Sequence, residues 1–411
     1  MSEFDLVALG DIADIRMGQS PDSNSYTDDD RFMPFLQGCG DFTEEFPETS
    51  VFCSNPGKVA PEGSLLVSVR APVGTTNIAD QEYCIGRGLA SVKSSILPAA
   101  YLREVFNLST SFLYRRAQGS TFDAISSQDL RAFPIPVPKK KEKLERLVAI
   151  FDSGNSEIRA TQALIKKNTL LKQGMMVDLF SRGIDLTTGL LRPSVQEAPE
   201  LYYGTPLGFI PKGWVYGLLK SFVRTAEYGI STSLNDDVTG IPVLRMNNIQ
   251  SNRFDVTDLK YTKDSDAYRL RLKKGDVLYN RTNSMEHVGK TAVWREELDE
   301  CSFASYLVRL NLHEDLLKPE YFAHWMSQES SQNALRAFAT PAVQQVNINP
   351  TNLQRVEICC PSDPHEQDLI VERIDALDEN IAAESANLIK LQDQKAGLMR
   401  DLLTGKVPVS A

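Results

Sequence analysis

Two stretches decide the fold, "GMMVDLFSRGI" (174–184) and "GLMRDLLTGKV" (397–407), which share glycine, methionine, aspartate and leucine at the same places. The offset between them is 223 residues. Three further pairs have this offset: Pro138 and Pro361, Asp152 and Asp375, and Lys172 and Lys395. A repeat of about half the chain predicts two copies of one domain-sized unit rather than a solenoid of short repeats.

Each copy begins with a part that mixes short strands and helices. "GSLL" (63–66) corresponds to "GDVL" (275–278), and "PFLQ" (34–37) corresponds to "PVLR" (242–245), at a slightly smaller offset. Helical periodicity is present in "PEYFAHWMSQESSQNALRAFA" (319–339), while β-favouring runs surround it. The pattern predicts the α+β class, with two similar mixed α/β domains.

The second part of each copy is a long helix. Positions 377, 381, 384, 388, 391, 395, 398 and 402 alternate spacings of four and three, a heptad seam. The first copy has a more polar seam at 154, 158, 161, 165, 168, 172, 175 and 179. Residues 139–183 carry 10 basic and 5 acidic side chains, and residues 362–403 carry 4 and 10. These opposite charges favour an antiparallel coiled coil between the two helices. The alternative is that each helix packs only on its own domain.

These patterns divide the chain into five segments. The domains are expected at 1–138 and 213–361, the long helices at 139–183 and 362–404, and a turn-rich linker at 184–212. A helix of about 33 residues is about 50 Å long, whereas one turn of duplex DNA spans about 34–36 Å. The expected arrangement is a pseudo-twofold pair, with the helices separating the two domains.

The bulk composition argues against several classes of protein. The 411 residues contain no run of 18 apolar residues, and "MSEFDLVALG" lacks a basic start followed by an apolar run. We therefore expect a cytoplasmic protein without a membrane span. The six cysteines form no C-x-x-C pair and the four histidines are isolated, so neither a metal nor a cofactor is expected.

The stretch "NRTNSMEHVGKTAVW" (280–294) contains Gly289-Lys290-Thr291, the tail of a phosphate-binding loop. The first glycine of that motif would fall on Ser284. A helix would also have to follow, yet Ala292-Val293-Trp294 favours a strand. We expect no nucleotide site here.

A catalytic role in DNA methylation also lacks its motif. The catalytic segment [NDS]-P-P-[YF] of DNA aminomethyltransferases is not matched by Asn55-Pro56-Gly57 or by Asn349-Pro350-Thr351. The lone glycine pair at Gly38 and Gly40 is too weak to indicate a methyl-donor site. We therefore expect a protein that is not itself an enzyme.

Five longer motifs accompany the repeat: "GSLLVSVRAPVGTTNIA" (63–79), "IGRGLASVK" (85–93), "TPLGFIPKGW" (205–214), "GDVLYNRTNSMEHVGKTAVW" (275–294) and the helix entry "PHEQDLI" (364–370). With the duplication, they make essentially the whole chain resemble the specificity (S) subunits of Type I restriction–modification enzymes. The first copy departs from the usual helix entry, because "PKKKEKLERL" (138–147) has three lysines there. This departure leaves the start of the first helix open.

The resemblance implies a non-catalytic subunit of a DNA adenine methyltransferase and endonuclease complex. Each domain would be a target recognition domain that reads one half of a bipartite, asymmetric site in double-stranded DNA. The paired helices would set the spacer and dock two methyltransferase (modification) subunits, and restriction subunits would join the full complex.

Residue chemistry and the resemblance together select nine candidates for DNA contact: Arg70, Arg87, Arg245, Asn247, Arg281, Asn283, Lys290, Gln344 and Gln345. Arginine suits a bidentate contact with guanine, asparagine and glutamine suit adenine, and a lysine can bind phosphate. The repeat places Arg70-Ala71-Pro72 opposite Arg281. The alternative is that Arg70 and Arg281 only pin turns.

A structural adaptor is the alternative function that the sequence excludes least well, because it would share the coiled coil. In that case the two domains would bind proteins or glycans at the ends of the helical pair. Salt-dependent binding to duplex DNA would separate the two functions.

Overall fold

The computed structural model describes residues 3–109, 112–113, 115, 124–342 and 345–408. The chain divides into two compact units, Met1–Ile165 with Glu384–Ala411, and Lys166–Ala383. Each unit contains one globular domain and a part of both long helices. In the part of the chain that is described, no helix has the length and apolar character needed to cross a membrane.

The described residues between the first strand and Pro138, taken here as the first domain, form three sheets. A four-stranded antiparallel sheet has the order Ala13–Met17, Leu89–Ser94, Leu65–Ser68, Thr76–Ile78. A five-stranded sheet has the order Tyr26–Thr27, Phe52–Cys53, Met33–Leu36, Tyr83–Ile85, Val59–Ala60. The strands Phe4–Ala8 and Pro134–Pro138 form a pair. Among the described residues, this domain has the helices Leu9–Ile12, Ala99–Leu108 and Ser127–Arg131, with 3-10 turns at Ser23–Ser25 and Cys39–Asp41.

The second domain, from Trp214 to Pro361, repeats this plan. Its four-stranded sheet has the order Val223–Tyr228, Leu307–Leu312, Val277–Asn280, Thr291–Val293. Two three-stranded sheets have the orders Lys260–Thr262, Ile241–Leu244, Ser302–Phe303 and Thr282–Asn283, Gln345–Asn347, Thr340–Ala342. Two strand pairs are Trp214–Leu218 with Glu357–Pro361 and Ile249–Gln250 with Arg253–Phe254. The helices are Ser265–Arg269, Pro319–Ser327, Glu329–Arg336 and Pro350–Leu353, with 3-10 turns at Leu219–Ser221 and Met246–Asn248.

Between the first long helix and the second domain, the chain forms two short hairpins. They are Ile184–Asp185 with Leu190–Leu191 and Tyr202–Thr205 with Gly208–Pro211, separated by a 3-10 turn at Pro199–Leu201.

Strand register confirms that the two domains are copies of one fold. Phe4 pairs with Pro138 and Trp214 pairs with Pro361, so both domains are closed by the same pair of strands. Both domains also contain one parallel pair at equivalent places, Met33–Leu36 with Tyr83–Ile85 and Ile241–Leu244 with Ser302–Phe303. The predicted α+β class with an internal repeat is therefore confirmed.

In each domain, one amphipathic helix covers the four-stranded sheet. The helix Ala99–Leu108 buries Tyr101, Leu102, Val105 and Phe106, whose spacing places them on one face. The equivalent helix Pro319–Ser327 starts with proline, whose missing amide hydrogen costs nothing at that position, and buries Tyr321, Phe322, Trp325 and Met326.

The long helices are Lys141–Arg182, with 42 residues, and Pro364–Leu403, with 40. Gly183 and Gly405, with φ of +63° and +71°, follow their ends, a backbone conformation that glycine adopts without steric cost. The first helix starts three residues after Pro138. Of the three lysines at its entry, Lys139 pairs with Asp5 and Lys141 with Glu145. These carboxylates offset cations that the helix dipole disfavours.

The predicted seam is confirmed on the first helix, where all eight positions are buried or half-buried. On the second helix the prediction fails at one place. Leu398 is 45% exposed, and Met399 is buried instead at 2%. A straight α-helix drifts relative to a 3.5-residue repeat. Here the last turn also joins the core of the first domain through Met399, Leu402 and Leu403.

Within each unit the two helices run antiparallel. In the first unit, Asn155 contacts Lys395, while Leu147 and Phe151 share a core with Leu402. In the second unit, Lys172 contacts Asp378, while Leu179 shares a core with Ile370 and Ile374. In both units, residue numbers rise along one helix as they fall along the other.

Candidate functional site

The four-stranded sheet of the first domain ends at a turn that brings two predicted arginines together. The Val69 amide donates to the Gly88 carbonyl at 2.9 Å, and the Leu89 amide donates to Gly86 at 3.1 Å, closing the turn. Arg70 directly follows Val69, and Arg87 directly precedes Gly88, so the hydrogen bond between Val69 and Gly88 brings their backbones close together. We call Gln37, Arg70, Arg87 and Gly88 the first edge.

The first edge presents its arginines to solvent. Arg70, Arg87 and Gln37 are all exposed. Across the described ranges, no hydrogen bond or ion pair is found for either guanidinium. Gln37 is held more firmly, because its carbonyl accepts from the Gly88 amide at 3.2 Å and its side-chain oxygen lies 3.3 Å from Ser20 Oγ. The first edge thus combines the held side-chain amide of Gln37 with the two exposed guanidinium groups of Arg70 and Arg87.

The second domain has the same construction with different residues. The Arg281 amide donates to the Tyr306 carbonyl at 3.0 Å, and the Leu307 amide donates to Ala304 at 2.8 Å. The Nε atom of Arg281 donates to the Ser305 carbonyl at 2.9 Å. Its guanidinium carbon lies 5.1 Å from the centroid of the Tyr228 ring. We call Arg245, Arg281, Ser305 and Tyr306 the second edge.

The expected match between Arg70 and Arg281 is wrong by one residue. The Ile125 amide donates to the Val69 carbonyl, and the Ile348 amide donates to the Arg281 carbonyl, both at 2.9 Å. Arg281 therefore occupies the place of Val69, and Arg70 occupies that of Thr282. Because successive side chains of an extended strand point to opposite faces, the two arginines are not equivalent.

Arg245 and Asn247 are both committed to one carboxylate. The Nη2 atom of Arg245 lies 2.8 Å from Oδ2 of Asp258, and Nδ2 of Asn247 lies 3.4 Å from the same oxygen. The Nε atom of Arg245 is buried and has no partner among the residues described. Arg245 is half-buried and Asn247 exposed, so Asn247 is the more available of the two.

The amide candidates lie beside the second edge. Asn283 pairs with Val346 on the neighbouring strand, and Gln345 is the residue next to Val346 on that strand. Gln344 lies outside the described residues. The side-chain oxygen of Asn283 accepts from the Ser284 amide at 2.8 Å, which leaves its NH₂ group for other contacts.

Lys290 is held next to the same strand end. The Asn280 amide donates to the Lys290 carbonyl at 2.8 Å, and Lys290 lines a small pocket of about 200 Å³ with Glu286, Gln332 and Arg336. The strand Thr291–Val293 follows, as expected, and not the helix that a phosphate-binding loop requires.

Sequence inspection missed Gln37, Tyr228, Ser305 and Tyr306. Tyr306 of the second edge is 47% exposed, and Tyr228, which is 49% exposed, lies beside Arg281 of that edge. Matching the turn Gly86–Leu89 to Ala304–Leu307 gives two of them, Ser305 and Tyr306, and matching "PFLQ" to "PVLR" places Gln37 opposite Arg245. Tyr228 has no such signal, because Met17 occupies its place in the first domain.

A buried polar cluster lies between each domain and the long helices. In the first unit, Lys395 Nζ lies 2.9 Å from Glu104 Oε1 and 2.6 Å from Asn155 Oδ1. In the second unit, Lys172 Nζ lies 2.6 and 2.7 Å from the two oxygens of Asp378. Asn155 and Asp378 are equivalent at the offset of 223 residues, so both copies contain the same lysine contact.

The cluster of the second unit also contains a histidine. His324 Nε2 lies 2.9 Å from Asp375 Oδ1. Burial alone would raise the pKa of Asp375, but the hydrogen bond from His324 and the charges of His324, Arg295 and Arg253 outweigh it and lower that pKa. Ligand atoms of His324, Asp375 and Asp378 lie within 4.8 Å of one another, which could suit a metal ion. Lys172 already supplies a cation to both oxygens of Asp378, so an ion pair accounts for the group.

The sequence model described as "Type I restriction modification DNA specificity domain" matches the chain twice, at residues 1–168 and 211–393. The chain belongs to this specificity-domain family. The two matches include both domains and most of both long helices, in agreement with the duplication seen in the fold.

Relatives in the specificity-domain family are distant. A putative type I restriction enzyme MjaX specificity subunit of Methanocaldococcus jannaschii is 28% identical over 208 residues, which are 50% of this chain and 49% of that protein. The StySPI specificity subunit of Salmonella potsdam is 29% identical over 189 residues, 44% of this chain and 40% of that protein. The EcoKI specificity subunit of Escherichia coli K12 is 24% identical over 287 residues, which are 67% of this chain and 56% of that protein. The chain thus spans about half the length of these relatives.

Two solved structures share the fold. The S subunit of a Type I restriction–modification system from M. genitalium has a TM-score of 0.59 at 12% identity, with 99% of this chain and 97% of that chain covered. A chain from a structure on complex assembly and conformational transition of the type I R-M system has a TM-score of 0.57 at 15% identity, with 99% of both chains covered.

Proposed function

We propose that this chain is the non-catalytic DNA-specificity subunit of a Type I restriction–modification complex. Each domain reads one half of a bipartite, asymmetric site, and the paired long helices set the spacer between the halves. The observation that carries the proposal is one sheet edge built twice with different residues. Two copies of a scaffold with unlike side chains suit two unlike half-sites.

The edges have the chemistry that reads base pairs. Arg70, Arg87 and Arg281 carry planar forks that match the O6 and N7 acceptors of guanine, and Asn283 carries an amide that matches adenine. The chain as a whole has a formal net charge of −10, which opposes binding to DNA phosphates. Partner subunits with basic surfaces would supply the missing neutralisation, so DNA binding should be weak alone and tight in the complex.

The first long helix offers a surface for such partners. Leu170, Leu171 and Val177 are 59, 54 and 66% exposed, an unusual density of apolar side chains on a solvated helix. We propose that this face docks a methyltransferase (modification) subunit, with a second one bound through the duplicated half. Restriction subunits join the full complex.

Deletion and complementation in the source cell test the function. Loss of the chain should abolish one bipartite methylated motif, and the intact chain should restore it. Exchange of one domain should change one half-site only. Binding to proteins or glycans, with no methylated motif lost, would instead support the structural adaptor.

The docking face and the lack of catalysis need separate tests. Leu171→Asp should reduce co-purification of methyltransferase subunits at least about tenfold, since it places a charge in an apolar contact. Leu6→Asp is the matched control, because Leu6 is 74% exposed in the strand Phe4–Ala8 of the first domain. The isolated chain, incubated with labelled methyl donor and DNA, should incorporate no label.

A further inference from the structure

The two arginines of the first edge form an uncompensated pair of like charges. The hydrogen bond from Val69 to Gly88 holds their backbones at one end of the sheet. Like charges placed close together on a sheet oppose folding unless something neutralises them. Within the described part of the chain, neither Arg70 nor Arg87 has a carboxylate partner.

Two other exposed arginines of the same domain, Arg16 and Arg31, are paired, whereas the exposed Arg131 has no ion pair in the described part of the chain. Arg16 lies 2.8 Å from Asp14, and Arg31 forms an ion pair with Asp29 within its own turn. Residues 1–138 carry 18 acidic and 10 basic side chains, so carboxylates are abundant in this domain. Arg70 and Arg87 differ from Arg131 because the backbone hydrogen bond between Val69 and Gly88 holds them at one end of the same sheet. An external anion or acceptor would complete this pair.

The second edge lacks this pair. Thr282 stands at the place of Arg70 and is only 9% exposed, and Ser305 stands at the place of Arg87. The second edge also has two arginines, but Arg281 is held by Ser305 and stacked on Tyr228, and Arg245 is paired with Asp258. The two copies thus differ in where their arginines stand and in whether those arginines have partners.

We propose that Arg70 and Arg87 together read guanine in the half-site bound by the first domain, and that the second domain has no arginine at either of these two places. This rests on the proposed function and assigns its base chemistry. Each guanidinium donates two parallel hydrogen bonds to O6 and N7 of a guanine, a geometry that the point charge of lysine does not reproduce. The first half-site therefore contains G·C pairs that require arginine at these positions.

Arginine-to-lysine exchange separates base reading from phosphate binding, because it retains the charge and removes the fork. The source cell without its own copy is complemented with the intact chain, with Arg70→Lys or with Arg87→Lys, and its methylated sequences are mapped. The preference for G·C at one or two positions of one half-site should fall roughly ten- to hundredfold. Arg281→Lys should affect only the other half-site, and Arg16→Lys, whose arginine is paired, should change neither.

The outcomes distinguish the inference from the function on which it rests. If the intact chain restores no methylated motif, the proposed function fails. If the motif is restored but both lysine variants retain it, or lower methylation equally at every sequence, Arg70 and Arg87 are not base readers. Relaxation in the same half-site as Arg281→Lys would likewise overturn the assignment. Equal yields of purified variant complexes show that folding is intact.

Discussion

Lys395 Nζ lies 2.9 Å from Glu104 Oε1 inside the first unit, where Glu104 is only 2% exposed. Asn155 completes the contact by donating to the same Glu104 oxygen at 3.0 Å. Lys395 belongs to the second long helix, Glu104 to the helix Ala99–Leu108 of the first domain, and Asn155 to the first long helix. One buried ion pair thus joins the domain to both helices.

Removal of Lys395 should destabilise the chain strongly. Lys395→Met leaves the Glu104 carboxylate buried without its cation, which costs about 3–5 kcal/mol of unfolding free energy. Urea titration of the full chain measures this change, with Lys390→Met on the exposed face of the same helix as control. Combining Lys395→Met with Glu104→Leu should recover most of the loss, because no buried charge remains. A single variant as stable as its control would contradict the prediction.

Glu366 should anchor the chain that follows the first long helix. It is 3% exposed and accepts from the Ile184 amide at 2.9 Å, from Trp214 Nε1 at 3.0 Å and from Arg192 Nη2 at 2.9 Å. Glu366→Gln replaces a charged acceptor by a neutral amide and should cost about 1.5–3 kcal/mol. Thermal unfolding beside the exposed control Glu372→Gln tests this. Equal midpoints would show that the contact contributes nothing.

The acid limb of the stability curve should depend on Asp375. Folding lowers the pKa of Asp375 below its ordinary value of 3.8. The stability that its carboxylate contributes is therefore fully present well above pH 3.8 and is lost as pH falls through the pKa of the folded chain. The stability difference between the intact chain and Asp375→Asn should therefore narrow between about pH 5 and about pH 3. Urea midpoints across this range measure it. A difference that stays constant or widens towards low pH would contradict the sign.

Gly229 should tolerate no side chain. A Cβ atom there would lie 2.3 Å from the Phe303 carbonyl oxygen and 2.5 Å from that of Ala304, and backbone cannot yield as a flexible side chain does. Gly229→Ala should cost about 1–3 kcal/mol and weaken recognition of the second half-site. Gly57→Ala, with nothing within 4 Å of its Cβ, is the control. If Gly229→Ala changed neither the stability nor the recognition of either half-site, the prediction would be wrong.

Local patterns in the sequence were sufficient for the architecture. The duplication follows from comparing the two halves of the sequence, and the α+β class and the two long helices follow from spacings within each half. The seam failed only at Leu398, where the helix leaves the heptad pattern and packs on the first domain. Helix periodicity is a short-range property, so it survives until a tertiary contact competes with it.

The sequence by itself determined what is repeated and which residue types could read DNA. Only the tertiary structure decided which of them come together. It placed Arg70 beside Arg87, committed Arg245 to Asp258 and moved Arg281 by one residue relative to Arg70. The physical reason is strand register, because a shift of one residue reverses the face of every side chain and is set by contacts far apart in the sequence.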